Sequence, residues 1–259
     1  MQIRQTRFRQ HPIQSLLWPC LLALHFLAGL AGTAYAQEKQ LIITTEPSIT
    51  TKLSTVDGKT IFGSAADKVH EIMRRTQIPY QMKIMSWNRA FELARTQSDT
   101  CVFETARTPE REKSFKWIGP LSKGEWGIYG RPEYIGKVNK LSDIRDSNIG
   151  GYLGDAVGEY LMQRGYHVIN SYDDEITLKN LLIGRLDFWA SDVMQAPSMI
   201  ANIHATDKVA LLFTFGGYEY DLACNPGVSD EWVELIRAKL KEIRSDGTEA
   251  KILAKYQKN

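Results

Sequence analysis

The run SWNRAFELARTQSDTCVFETARTPEREKSFKWIGP, residues 86–120, holds a whole helix-to-strand unit and the turn that leaves it. Residues 87–97 have helical spacing, Ser98-Asp99 makes a polar turn, and 100–105 is an apolar strand. Beyond it Thr108 suits an N-cap, Pro109 a first helical position, and Glu110 the positive end of a helix dipole, so a helix is expected to start there. Arg111 breaks that pattern. A cation in the first turn of a helix calls for a nearby anion. That anion is either a neighbouring side chain, with Glu104, Glu110 and Glu112 within reach of Arg107 and Arg111, or the carboxylate of a ligand, which a guanidinium fork beside helix-start N–H groups suits.

Outward from this unit the alternation continues. Upstream, QLIITTE (40–46) reads as a strand, SAADKVHEIMRRTQ (64–77) as a helix and YQMKIMS (80–86) as a strand. Downstream, NIGGYLG (148–154), YHVINSY (166–172) and LDFWASD (186–192) are strands, and AVGEYLMQRG (156–165) and DEITLKNLLIGR (174–185) are helices. This β-α-β order predicts mostly parallel sheet with helices on its faces. Each half repeats a helix, a polar turn with an aspartate and an apolar strand, an internal echo that predicts two α/β lobes. EWGIYGRPEY (125–134) is a candidate crossover, and EYDLACNPG (219–227) a short strand after a Gly216-Gly217 break. The long helix 229–247, with Ser229 as cap and Gly247 as stop, is expected to fold back onto the first lobe. Two crossings make a hinge, giving lobe 1 as 37–127 with 222–259 and lobe 2 as 128–221.

The first 36 residues differ from the rest. Arg4, Arg7 and Arg9 precede an apolar stretch, Leu16 to Leu30, that ends in Ala34-Tyr35-Ala36 before Gln37, the pattern of a secretory signal peptide cleaved after Ala36. Cys20 raises a lipoprotein signal as rival, but Trp18-Pro19 is not the small-residue context that lipidation needs. Three of the 32 basic residues and none of the 30 acidic ones fall in this segment, so the exported chain is close to neutral. No electrostatic case for nucleic acid remains, and no second apolar run is long enough to span a bilayer. Cys101 and Cys224 remain in a chain bound for an oxidising compartment, where a disulfide and two buried thiols are both open readings. With His70, His167 and His204 scattered, no metal-ligand spacing exists, and no elbow, phosphate loop or dinucleotide motif marks a catalytic centre or a cofactor.

In open α/β sheets ligands bind beyond the carboxyl ends of the strands. The turns expected there are 104–111, Gly154-Asp155 and Ser191-Asp192. Asp192 suits an ammonium group, or else serves as a cap for the following VMQAPSMI. Trp87, Trp117, Trp126 and Trp189 offer surfaces for stacking or bulk for the core, and Glu46 is either a polar ligand contact or a turn residue before Pro47.

Three segments together, 86–120, TLKNLLIGRLDFWASD (177–192) and SDEWVELIRAKLKEIRSDGTEAKILAKY (229–256), resemble the bacterial extracellular solute-binding proteins of family 3, the polar-amino-acid type serving ABC importers. The most specific pieces are T-P-E-R at 108–111 and the D-G-T to I-L-x-K-Y ending. The resemblance implies the class II periplasmic binding protein fold, two α/β lobes joined by a two-strand hinge. It implies that Arg111, with Thr108 beside it, holds a ligand α-carboxylate, that Asp192 holds the α-ammonium, and that Trp87 packs on the ligand. Glu104 and Ala106 stand where the family's amino-acid binders carry small hydroxyl residues, Gly154-Asp155-Ala156 replaces a Gly-Ser-Thr type turn, and Gly63-Ser64-Ala65 replaces a glycine-aromatic-aspartate motif. Acidic residues at 104 or 155 would repel a carboxylate and favour a cationic or polyhydroxyl ligand. The function implied is a monomeric periplasmic protein that delivers a small polar solute to an inner-membrane ABC permease, without catalysis or cofactor. The alternatives are a dehydratase-like exported enzyme using Glu104 or Asp155, and a binding protein feeding a membrane sensor.

Overall fold

Two parallel blocks share one eight-stranded sheet, and a central antiparallel pair joins them. The structure, a computed structural model, describes residues 39–48, 50–54 and 57–256; the expected signal segment, 1–36, lies outside the described residues. In the first block β1 (Leu41–Thr45) is followed by the two-residue strands β2 (Lys52–Leu53) and β3 (Ile61–Phe62), helix α1 (Ser64–Thr76), β4 (Tyr80–Ile84), α2 (Trp87–Thr96) and β5 (Thr100–Ala106). β1 lies between β4 and β5, parallel to both. Then come β6 (Lys116–Gly130), β7 (Ile149–Tyr152), α3 (Ala156–Gln163), β8 (Val168–Ser171), α4 (Asp174–Leu182), β9 (Phe188–Asp192) and α5 (Ala196–Asn202). The chain returns through β10 (Ala210–Cys224) and ends in α6 (Asp230–Ser245) and α7 (Thr248–Tyr256). The sheet order is β4-β1-β5-β10-β6-β9-β7-β8, with β7 parallel to β8 and β9.

The apolar periodicity explains the layers. α1 turns Ala65, Val69, Ile72 and Met73 inward, and α6 turns Val233, Ile236, Leu240 and Ile243 onto the same core, which also holds Leu41, Ile43 and Phe103 of the first block. The terminal helix thus packs back on the first block, as its amphipathic pattern predicts. Separate cores fill the second block, one around Ile128, Ile149, Val157 and Leu161, another around Leu178, Leu181 and Trp189.

Two local expectations are corrected. No helix begins at Thr108: residues 108–111 form a turn, with the Arg111 N–H donating to the Thr108 carbonyl at 3.1 Å, and only a 3₁₀ turn, Glu112–Ser114, comes after it. Residues 125–130, the first part of the expected crossover, are the end of β6, a strand of 15 residues. β10 is equally long, and Gly216-Gly217 does not break it. The strand absorbs the glycines as a register shift between Thr214 and Gly217 against β6. Pairing with a long neighbour supplies the hydrogen bonds that a glycine pair would otherwise leave unsatisfied.

The sulfurs of Cys101 and Cys224 lie 2.04 Å apart, a disulfide between directly opposed residues of β5 and β10. No helix among the described residues is long and apolar enough to cross a membrane.

Candidate functional site

A parallel strand followed by a helix delivers its loop at the carboxyl edge, so three loops from each block gather there. From the first block come Glu46 after β1, Trp87 after β4 and Arg111 after β5; from the second, Asp155 after β7, Asp174 after β8 and Asp192 at the end of β9. All six line one cleft, together with Glu104 of β5. Of the seven residues expected at a site, only Thr108 is not on its wall; it is buried, and its backbone carbonyl shapes the turn that presents Arg111.

Arg111 is only 4% exposed, so its charge needs a partner at close range. Its partner is a residue no sequence argument named: Nε and Nη2 donate to Oε2 of Glu159 on α3, at 3.1 and 2.8 Å, and Nη2 also donates to the Gly154 carbonyl at 2.9 Å. The guanidinium lies 4.7 Å from the centre of the Phe91 ring. Nη1 is buried without a hydrogen-bond partner. Arg107 instead pairs with Glu112, at 2.6–2.8 Å, as its neighbours in sequence allow. The Gly154 carbonyl is a shared acceptor: Trp87 Nε1 also donates to it, at 2.8 Å. Two side chains of the first block thereby hold one carbonyl of the second.

The carboxylates outnumber the bases. Glu46, Glu104, Asp155, Asp174 and Asp192 line the cleft, none forms an ion pair among the described residues, and Arg111 is the one base among the described residues of its wall. Burial raises Glu46 well above the ordinary carboxylate range, reinforced by Asp155, Asp174 and Glu104. Asp155 is pushed up to about 6 by burial, against the pull of Arg111, while its Oδ1 accepts from the Ala156 N–H at the start of α3. Asp174 is pushed up to about 7, by burial first and by Asp155 second, while accepting from Trp189 Nε1 at 3.2 Å. Glu104 is raised by burial, opposed by hydrogen bonds from Thr50 at 2.5 Å and Ser48 at 3.1 Å. Asp192 accepts from the N–H groups of Met194 and Gln195 at 2.7 and 3.2 Å, and from the Tyr220 hydroxyl at 2.8 Å. It therefore ties its own turn, the structural use open to it from sequence, while still facing the cleft.

Among the described tryptophans only Trp87 lines the cleft. Trp117, Trp126 and Trp189 are buried in cores, Trp126 stacked 3.8 Å from Tyr218. The expected Ser191-Asp192 turn is on the wall, but sequence reading missed Tyr152, Asp174 and Tyr220. The rule that placed Asp155 applies equally to Asp174, which opens a helix after a strand. Tyr220 carries no such signal, because its position depends on how far β10 runs across the sheet.

The architecture recurs in solved structures. A histidine kinase sensor domain with similarity to periplasmic binding proteins superposes with a TM-score of 0.75 at 15% identity, over 85% of this chain and 96% of that one. The arginine-, lysine-, histidine-binding protein ArtJ from Geobacillus stearothermophilus gives 0.71 at 18%, over 84% and 95%. The amino acid ABC transporter substrate-binding protein AbpA from Streptococcus pneumoniae, bound to L-arginine, gives 0.69 at 15%, over 84% and 94%. At such identities the likeness is one of fold, the class II periplasmic binding protein type. No curated protein matches the chain in sequence. The model of the bacterial extracellular solute-binding proteins, family 3, matches residues 41–259, and the protein belongs to that family.

Proposed function

We propose that the protein captures a small polar solute, an amino acid or related compound, in the periplasm and hands it to the permease of an ABC importer, with no chemistry on the ligand. The lobes are 37–127 with 222–259, and 128–221; they close as a monomer about the two strands β6 and β10. The observation that carries this reading is the cleft itself: its walls come from both blocks, and the chain passes between those blocks along β6 and back along β10. Trp87 and Arg111, both reaching the Gly154 carbonyl, are contacts that form on closure. In this reading Arg111 and Asp192 remain the polar contacts nearest the ligand and Trp87 its apolar wall.

The test is thermal unfolding of the exported protein against amino acids, polyamines, organic acids and sugars. A solute at 100 times its dissociation constant stabilises by about 2.7 kcal/mol, a shift of a few degrees for a chain of this size. Silence across the whole panel overturns the reading, and turnover of a bound compound replaces it with the enzyme alternative. The similarity to a histidine kinase sensor domain supports a second use of the same closure, signalling to a membrane receptor. Capture from membranes with ligand present separates the two: an importer permease in one case, a receptor in the other.

A further inference from the structure

The charge arrangement of the cleft narrows the solute. An α-amino acid brings a carboxylate that needs a bidentate donor, yet two of the three guanidinium nitrogens of Arg111 are already held by Glu159 and the Gly154 carbonyl. A ligand carboxylate reaches that fork only by displacing Glu159, and then sits among five unpaired acids. Nη1 keeps both its N–H groups without an acceptor, but it is buried, and one nitrogen does not supply the two-nitrogen fork that grips a carboxylate. On the other side of the balance, the acids are spread along the cleft and do not converge: no group of three acidic, histidine or cysteine side chains among the described residues is placed to hold a metal ion. Spread negative charge fits a cation whose own charges are spread. Past Glu104, Asp192, Gln195 and Tyr220 the cleft opens into a second cavity of about 340 Å³, whose wall includes Leu253 and Tyr256 of α7 and two lysines already paired with acids, Lys68 with Glu249 at 3.7 Å and Lys123 with Glu219 at 3.3 Å. There is room for length as well as charge.

We propose that the cleft takes an elongated organic cation, an amine or guanidinium compound with no free carboxylate, whose charged groups face Glu46, Asp155, Asp174 and Asp192 and whose length runs past Tyr220 into the second cavity. This rests on the solute-binding function proposed for the same cleft and sharpens it.

Agmatine and L-arginine differ by the α-carboxylate alone, and so isolate the point. Calorimetric titration of the exported protein at pH 7.5 with agmatine, putrescine, spermidine, L-arginine and L-glutamine is expected to show at least one amine binding tenfold or more tighter than either amino acid. Asp174→Asn weakens that amine by about tenfold, while Glu159→Ala, which removes the acceptor from the Arg111 fork, narrows the gap by strengthening L-arginine; melting curves of both variants verify that they fold. An amino acid that binds as tightly as the amines, or only a sugar or organic acid binding in the wider panel, overturns this inference and leaves the solute-binding function standing. Silence from every solute overturns both.

Discussion

Arg111 illustrates how one side chain's meaning depends on what faces it. As a lone cation in a turn it asks for an anion, and Glu159, 48 residues further along the chain, supplies one across the cleft. Asp174 poses the opposite problem, a carboxyl with no base beside it. Its pKa is raised from an ordinary 3.8 to about 7. Because the folded value lies above the unfolded one, the group's contribution to stability is fully present below about pH 4 and is lost as pH rises through 7. Asparagine keeps an acceptor for Trp189 Nε1 and carries no charge to desolvate. Asp174→Asn is therefore expected to stabilise the unliganded protein at pH 8 by on the order of 1–2 kcal/mol once solvent screening is allowed for, read as a higher melting temperature, and to do almost nothing at pH 4. Melting curves at the two pH values check this; an equal effect at both would rule out the charge as the cause.

At the scale of elements, the neighbouring strands β6 and β10 shape the site as much as the loops do. Gly124 of β6 lies beneath Tyr220 of β10: a Cβ there would stand 2.1 Å from the tyrosine ring and 2.6 Å from Asp192 Oδ2. The missing side chain lets the ring lie flat on the strand and its hydroxyl reach Asp192 at 2.8 Å. Gly124→Ala is expected to push Tyr220 aside, cost about 1–3 kcal/mol in a denaturant melt, and weaken ligand binding because Asp192 loses its hydroxyl donor. Unchanged stability and affinity would mean that the tyrosine moves without consequence. Helix ends matter equally: Asp155 and Asp174 stand at the starts of α3 and α4, where backbone N–H groups favour an anion. For Asp155 the Ala156 N–H only partly offsets the burial that raises it, and Asp174 accepts from a tryptophan side chain instead.

Across the whole molecule, the disulfide joins residues 123 apart and so encloses all of β6 through β9 in one covalent loop. Removing it with Cys101→Ala and Cys224→Ala is expected to cost about 2–5 kcal/mol, read as a lower urea midpoint with native circular dichroism retained. A midpoint unmoved by the substitutions, or by reductant, would show that neighbouring strands hold β5 to β10 unaided. The order of short strands and amphipathic helices, and the presence of Glu46, Arg111, Asp155 and Asp192 at the carboxyl edge, were legible from residue pattern, since period, caps and breakers act within a few residues, whereas Trp87 was singled out by the family resemblance. The start of a helix at Thr108 was misread, because a good N-cap is a weak local preference that the turn into β6 overrides. Residue pattern was enough for the elements and for the parallel blocks they build. Folding in three dimensions was needed to run β6 and β10 unbroken across the sheet, to set Glu159 against Arg111, and to complete the cleft with Asp174 and Tyr220. Each of these depends on contacts between residues far apart in the chain, and such contacts are set by packing and long-range charge, which leave no periodic mark on the sequence.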